Sequence, residues 1–298
     1  VQMPVVLPRI DQPVRRIGAR TFDFSRRAAV MAVVNRTPDS FHDRGATFAL
    51  EAAVDAGLRA VDQGADWLDV GGVPFSPLVP RVSPDQEAAR VVPVIEAIRA
   101  NSDVVISVDT TRAPVAVAAI EAGADVVNDT SGLSDQDMAR VVRDGGASVV
   151  ITHSLAKPFE VLERPHYDDV TREVATSLGQ RLDQALSAGV RPEQVILDPG
   201  PDLNKNTLHT LQLTRQLALV TGLGHPVLAA VSNKDFIGET LDRPRQARTA
   251  GSVASAMWCL MAGARILRMH DVPEAVDTVR MFEAIMGWRP PAYLRHNM

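Results

Sequence analysis

The chain has 298 residues, 46% of them hydrophobic and 22% charged, with a formal net charge of -5, enough to bury a large core as one big α/β domain or two smaller ones. That balance excludes a sequence-wide basic footprint for nucleic acid or an anionic membrane surface, so an anion must be met by a local pocket. The single cysteine, Cys259 between Trp258 and Leu260, excludes an internal disulfide framework and a zinc cluster, and reads as helix packing in a reducing compartment.

In chain order, residues 1–27 are rich in Arg and Pro and lack the continuous apolar core of a signal peptide; a surface arm is expected. The first expected strand, 30–34, runs into Asn35, Arg36, Thr37, Pro38, Asp39 and Ser40. An ordinary turn needs only one or two such residues, so the cluster is either a capped turn or part of a site. A helix follows over 48–64, with Leu50, Val54, Leu58 and Val61 on one face. Strands are expected at 67–70, 104–108, 126–127 and 148–151, then a second amphipathic helix carrying Val170, Val174, Leu178, Leu182 and Leu186 at every fourth position. Strands at 195–197, 227–231 and 266–267 complete the series. The apolar run at 253–264 is too short to cross a bilayer, and a cytoplasmic protein without membrane or nucleic-acid partners is expected.

Near-continuous apolar strands in strict alternation with helices imply parallel strands covered on both faces. About eight such units favour a single (β/α)8 TIM barrel over 28–288, with a tail at 289–298. A doubly wound open sheet is the alternative, but neither G-x-G-x-x-G after the first strand nor G-x-x-x-x-G-K-[ST] is present.

In a barrel the C-terminal strand ends converge on one mouth, where the chemistry of this fold sits. Those ends read Asn35, Asp69, Asp109, Asn128 with Asp129, His153, Asp198, Ser232 with Asn233 and Lys234, and Arg268 with His270. Each alone is more simply a turn former or a satisfied core group; so many polar groups facing one space require a ligand. Arg268 and His270, with Asn35 on the adjoining strand, suit a phosphate-like anion. Asp109, Asn128, Asp198 and Lys234 offer carboxylate, amide and ammonium groups suited to the edge of a flat heterocycle.

The stretches NRTPDSF, SVDTTRA, VNDTSG, LDPG, SNKDFIG and RMHDV fall in the order seen in dihydropteroate synthases, and the chain resembles that family from residue 30 to about 279. The resemblance implies a transferase that joins dihydropterin hydroxymethyl pyrophosphate to 4-aminobenzoate or another arylamine, releasing pyrophosphate, in a homodimer. It implies that Asp109, Asn128, Asp198 and Lys234 hold the pterin, and that Asn35, Arg268 and His270 hold pyrophosphate with Mg2+, Asn35 being the metal residue. Thr37, Asp39, Ser232 and Asn233 would serve the second substrate and the closing loops. The departures are concentrated. Where the family has Gly-Gly-Glu-Ser-Thr-Arg-Pro-Gly, this chain has Val73, Pro74, Phe75, Ser76, Pro77 and Leu78 after Gly71 and Gly72. Ser-Arg-Lys has become Ser232, Asn233, Lys234, and Gly-Phe-Gly-Lys has become Asp202, Leu203, Asn204, Lys205. Arg36 stands where the family has Val. The second-substrate side is rewritten, so the expectation is a divergent paralogue of impaired or altered activity. A pterin-binding protein with little or no turnover is the alternative. A methyl-transfer module is a weaker one, since the corrinoid partner domain it would normally imply is not seen.

Overall fold

Two short strands, β1 (Val14–Ile17) and β2 (Arg20–Asp23), open the chain as an antiparallel hairpin in a computed structural model that describes residues 6–35, 45–73, 81–158, 160 and 162–296. Only Gly18 and Ala19 join them, and Gly18 sits at φ +58°, a conformation that two-residue hairpin turns reserve for residues such as glycine. A Cβ at Gly18 would also lie 2.4 Å from a carboxylate oxygen of Asp125, so the hairpin could not approach the barrel as closely.

Eight parallel strands form the rest of the framework: β3 (Ala29–Asn35), β4 (Trp67–Gly71), β5 (Val105–Asp109), β6 (Val126–Asp129), β7 (Ser148–Thr152), β8 (Val195–Asp198), β9 (Leu228–Ala229) and β10 (Ile266–Met269). Their order is β8-β7-β6-β5-β4-β3-β10-β9. The ends of that list meet where Leu197 bridges Val227 and its N–H donates to the Pro226 carbonyl at 3.0 Å. This closes the expected barrel, and every expected strand is present. Around it run α1 (Gly45–Asp62), α2 (Pro84–Arg99), α3 (Ala113–Glu121), α4 (Met138–Gly145), α5 (Val170–Ser187), α6 (Thr207–Arg215), α7 (Ala218–Thr221), α8 (Asp235–Leu241), α9 (Thr249–Met261) and α10 (Val272–Ile285). Helix α2 starts with a reciprocal Ser83–Gln86 capping box and Pro84 in its first turn, a strong local start signal. Among the described residues no helix is long and apolar enough to cross a membrane.

Strand alternation sorts each side chain to one of two cores. Leu68, Val70, Ile106, Val108, Val127 and Ile151 face the helices, whereas Trp67, Val105, Val126, Val150, Ile196 and Ile266 fill the barrel axis. The α1 seam is not the expected leucine and valine face alone: Ala53, Gly57 and Ala60 are its buried residues. At Gly57 an added Cβ would come 3.0 Å from Ile98 and 3.3 Å from Leu68. Small residues there bring the helix close to the sheet.

The N-terminal segment corrects the surface-arm expectation. Ile10, Ile17, Phe22 and Phe24 are buried in the axial core. Phe22 meets Trp67 edge-on and stacks on Phe24, both with centroids 5.7 Å apart. The hairpin therefore floors the barrel at the end opposite the mouth, and this part of the arm is core. Periodicity of two over only four residues per strand, Val14–Ile17 and Arg20–Asp23, is too brief to stand out among charged neighbours.

Candidate functional site

Above the aromatic floor, the same inward pleat that carries Trp67 and Val105 turns polar. On β4 it continues to Asp69 and Gly71, on β5 to Ser107 and Asp109, on β6 to Asn128 and on β10 to Arg268. Register aligns Asn35, Gly71, Asp109 and Asn128 as neighbours across four strands. Gly71 leaves room between its flanks: a Cβ there would lie 3.3 Å from Asn35 Oδ1 and 3.7 Å from Asp109 Cβ.

Arg268 is the hub. Its Nε donates to Asp69 Oδ2 at 2.7 Å and its Nη2 to Asp109 Oδ2 at 3.4 Å. Asn128 Nδ2 donates to the same Asp69 Oδ2 at 3.0 Å. Burial disfavours the Arg268 charge, but Asp69 and Asp109 outweigh it and hold its pKa above the usual arginine range. Burial, with the Asp69 charge second, pushes Asp109 up to about 7 against the pull of Arg268. Three buried oxygens, Asp69 Oδ1, Ser107 Oγ and Asn128 Oδ1, have no hydrogen-bond partner among the described residues. Buried polar atoms are rarely left so, and three in one inward layer mark a place built for ligand atoms.

Asp198 flanks this group from β8. Its Oδ1 accepts the Gly200 N–H at 2.7 Å, and Thr152 Oγ1 lies 3.5 Å from Oδ2. Burial raises its pKa. Lys234 lies close enough for its charge to act on Asp198, and burial lowers the lysine's own pKa. The structure thus brings Asp109, Asn128, Asp198, Lys234 and Arg268 around one axis. Asp129 is not among them. It faces outward and braces a turn, accepting from Ser131 N, Ser131 Oγ and Leu133 N at 2.9, 2.6 and 2.9 Å.

Ser232 and His270 form a pair. Ser232 Oγ accepts the His270 backbone N–H at 3.1 Å and lies 3.0 Å from Nδ1. Burial, then the Arg268 charge, lowers the His270 pKa. Asn233 takes a left-handed φ of +56°, with its N–H on Ser252 Oγ at 3.0 Å and a buried Oδ1 that has no partner among the described residues. Thr37 and Asp39 lie outside the described residues, as do Arg36, Phe75 and Ser76.

Sequence reasoning missed a clasp beside the mouth. Lys205 Nζ is 2.9 Å from His153 Nδ1 and donates to the Gly200 and Leu203 carbonyls at 2.9 and 3.0 Å. Burial pushes Lys205 down to about 7, and burial with the Lys205 charge pushes His153 down to about 3. The Lys205–His153 contact ties the loop after β7 to the loop after β8. The sequence signals were His153 at a strand end and the lysine that survives in the rewritten sixth loop, with nothing to join them. A cleft of about 430 Å3 opens on this side, lined among others by Glu87, Asp109, Thr110, Ser131, Ser154 and Lys205. It shares Asp109 with the axial cluster but not Arg268, His270 or Lys234.

The sequence signature of the family described as pterin binding enzyme matches residues 31–270. The chain is similar to the protein named inactive dihydropteroate synthase 2 of Mycobacterium tuberculosis, 45% identical over 271 residues, covering 89% of this chain and 85% of that one. It is 36% identical to the dihydropteroate synthase of Haemophilus influenzae over 255 residues, 86% of this chain and 93% of that one. Among solved structures, the Xanthomonas albilineans dihydropteroate synthase with 4-aminobenzoic acid superposes with a TM-score of 0.85 at 38% identity, over 92% of this chain and 98% of that chain. The same enzyme in complex with 7,8-dihydropteroate gives 0.82 at 38% identity, with the same coverage.

Proposed function

The chain belongs to the pterin-binding enzyme family, and from that premise we propose that it is a divergent transferase of the dihydropteroate synthase type. It holds a dihydropterin hydroxymethyl pyrophosphate in the barrel mouth and passes the pterin methylene to 4-aminobenzoate or another arylamine, with altered handling of that second substrate. The observation that carries this reading is the inward layer of unpartnered acceptors beside Arg268. Asn128 Oδ1 and the carboxylates of Asp109 and Asp198 can accept ring N–H groups, and Lys234 supplies the donor. The terminal nitrogens of Arg268 and the ring of His270 would take the leaving pyrophosphate and stabilise its growing charge as its bond to the methylene breaks.

Asn35 would hold Mg2+. Its amide oxygen stands over Gly71 at the mouth, and among the described residues no group of three or more His, Cys, Asp or Glu forms a protein cage. One hard oxygen fits an ion that keeps phosphate oxygens and water as its other ligands. When bound, the ion would neutralise pyrophosphate charge. The expected homodimer belongs to the same proposal: α9 and α10 pack together and leave Trp258, Met281 and Ile285 exposed, and sedimentation equilibrium tests it.

A second reading, pterin binding with little turnover, is favoured by the mycobacterial relatives whose names call them inactive. Single-turnover pyrophosphate release, with and without 4-aminobenzoate, separates the two. Under the first reading release is slow but depends on the amine, and grafting the family's Glu-Ser-Thr-Arg-Pro-Gly over 73–78 raises it. Pterin binding without release in either protein supports the second reading. No pterin binding at all sinks both.

A further inference from the structure

Asp69 was visible at a strand end but has no assigned task, and its surroundings supply one. It is fully buried, so it lies beneath the mouth. One oxygen, Oδ2, takes both Arg268 Nε at 2.7 Å and Asn128 Nδ2 at 3.0 Å. These partners belong to the two halves of the site: Arg268 to the anion half and Asn128 to the ring half.

A carboxylate offers only acceptors, so the Asn128 edge that faces it must be the NH2 edge. The amide oxygen is then turned away from Asp69, and it is this buried Oδ1 that has no partner among the described residues. Without Asp69 the amide could rotate by half a turn at little cost and present a donor instead. Arg268 is constrained likewise. Held at Nε, it keeps its terminal nitrogens toward the mouth, Nη2 leaning on Asp109 at 3.4 Å.

We propose that Asp69 is a positioning residue that sets the polarity of the ring pocket and aims the anion fork through one shared oxygen, so that the site selects a heterocycle edge bearing N–H donors. The inference rests on the pterin reading for the identity of the ring. It does not rest on it for the coupling, which is made by side chains of this chain alone.

The test uses the full chain and the near-isosteric Asp69→Asn variant. Pterin and inorganic pyrophosphate serve as probes in titration calorimetry, and thermal melting reports whether the variant is folded. Asp69→Asn is expected to weaken both probes roughly tenfold, the scale of one lost charged hydrogen bond. The pterin loss should vanish in an Asn128→Ala background and the pyrophosphate loss in an Arg268→Ala background. Unchanged affinities, or losses that persist in those backgrounds, overturn the proposal. Hydrogen exchange of the Asn128 side-chain amide, followed by NMR without ligand, gives an answer even if the unmodified protein binds neither probe or the variant does not fold. Slow exchange of those protons in the unmodified protein supports the coupling; fast exchange overturns it. Failure of both probes to bind, with slow exchange, would refute the pterin reading and leave the coupling standing.

Discussion

At the scale of single residues the site is an electrostatic compromise, and its members are not independent. Arg268→Ala should do more than remove a pyrophosphate contact, because it leaves the buried Asp69 without its cation. Breaking such a pair costs about 3–5 kcal/mol, so urea denaturation should show a clear loss of stability beside the loss of pyrophosphate affinity. Arg268→Lys should restore part of the stability and little of the affinity, since an ammonium cannot point Nε at Asp69 and a planar fork at the mouth together. Asp109 makes a pH prediction. Its native pKa, raised to about 7 from an unfolded value of about 3.9, means that the native state binds the extra proton between those limits. Its contribution to stability is therefore full below about pH 4 and lost as pH rises through about 7. Asp109→Asn lacks that loss. Its melting temperature relative to the unmodified protein should climb between pH 5 and 8 and then level. A flat difference across that range would put the titration elsewhere. Asp109, Asn128, Asp198 and Arg268 were legible because each stands where an apolar strand run ends in a polar residue. The Asp69 contacts were not, because they join positions 199 and 59 residues apart through the stagger of strands around the ring.

At the scale of elements, the rewritten sixth loop changes meaning once its backbone is seen. Asp202 and Asn204 stand where the family has glycines, and both adopt left-handed φ angles, +63° and +49°. Asp and Asn tolerate that region better than other side chains, so the loop keeps a glycine-like path while adding side chains. Asn204 uses its side chain at once, accepting from Ser154 Oγ at 2.6 Å and Ala156 N at 2.9 Å. Asn204→Ala should lose both bonds and strain the backbone, costing about 1–3 kcal/mol. Asn204→Gly relieves the strain and should cost less; equal melting temperatures for the two variants would contradict this account. The sequence showed only that glycines had gone. A φ angle is written in a sequence when glycine marks it and is silent when asparagine or aspartate takes the same turn. The strands were easier, since eight apolar runs in alternation with helices leave few arrangements.

At the scale of the whole molecule, the barrel and its N-terminal hairpin behave as one folding unit. Phe22, Phe24 and Trp67 share the lowest axial layer, so Phe22→Ala opens a cavity in the core and should cost about 3–5 kcal/mol. Removing residues 6–24 should broaden the melting transition as well as lower it, because the floor of the axis would then face water. A truncated chain that melts as sharply and as high as the intact one would make the hairpin an ornament.

Among the described residues, the same hairpin stops the lower end of the barrel. Under the proposed reading, a ring seated at the depth of Asn128 and Asp198 would enter before any second guest over it and leave after that guest. Order of arrival would then be a property of plumbing rather than of affinity: last in, first out.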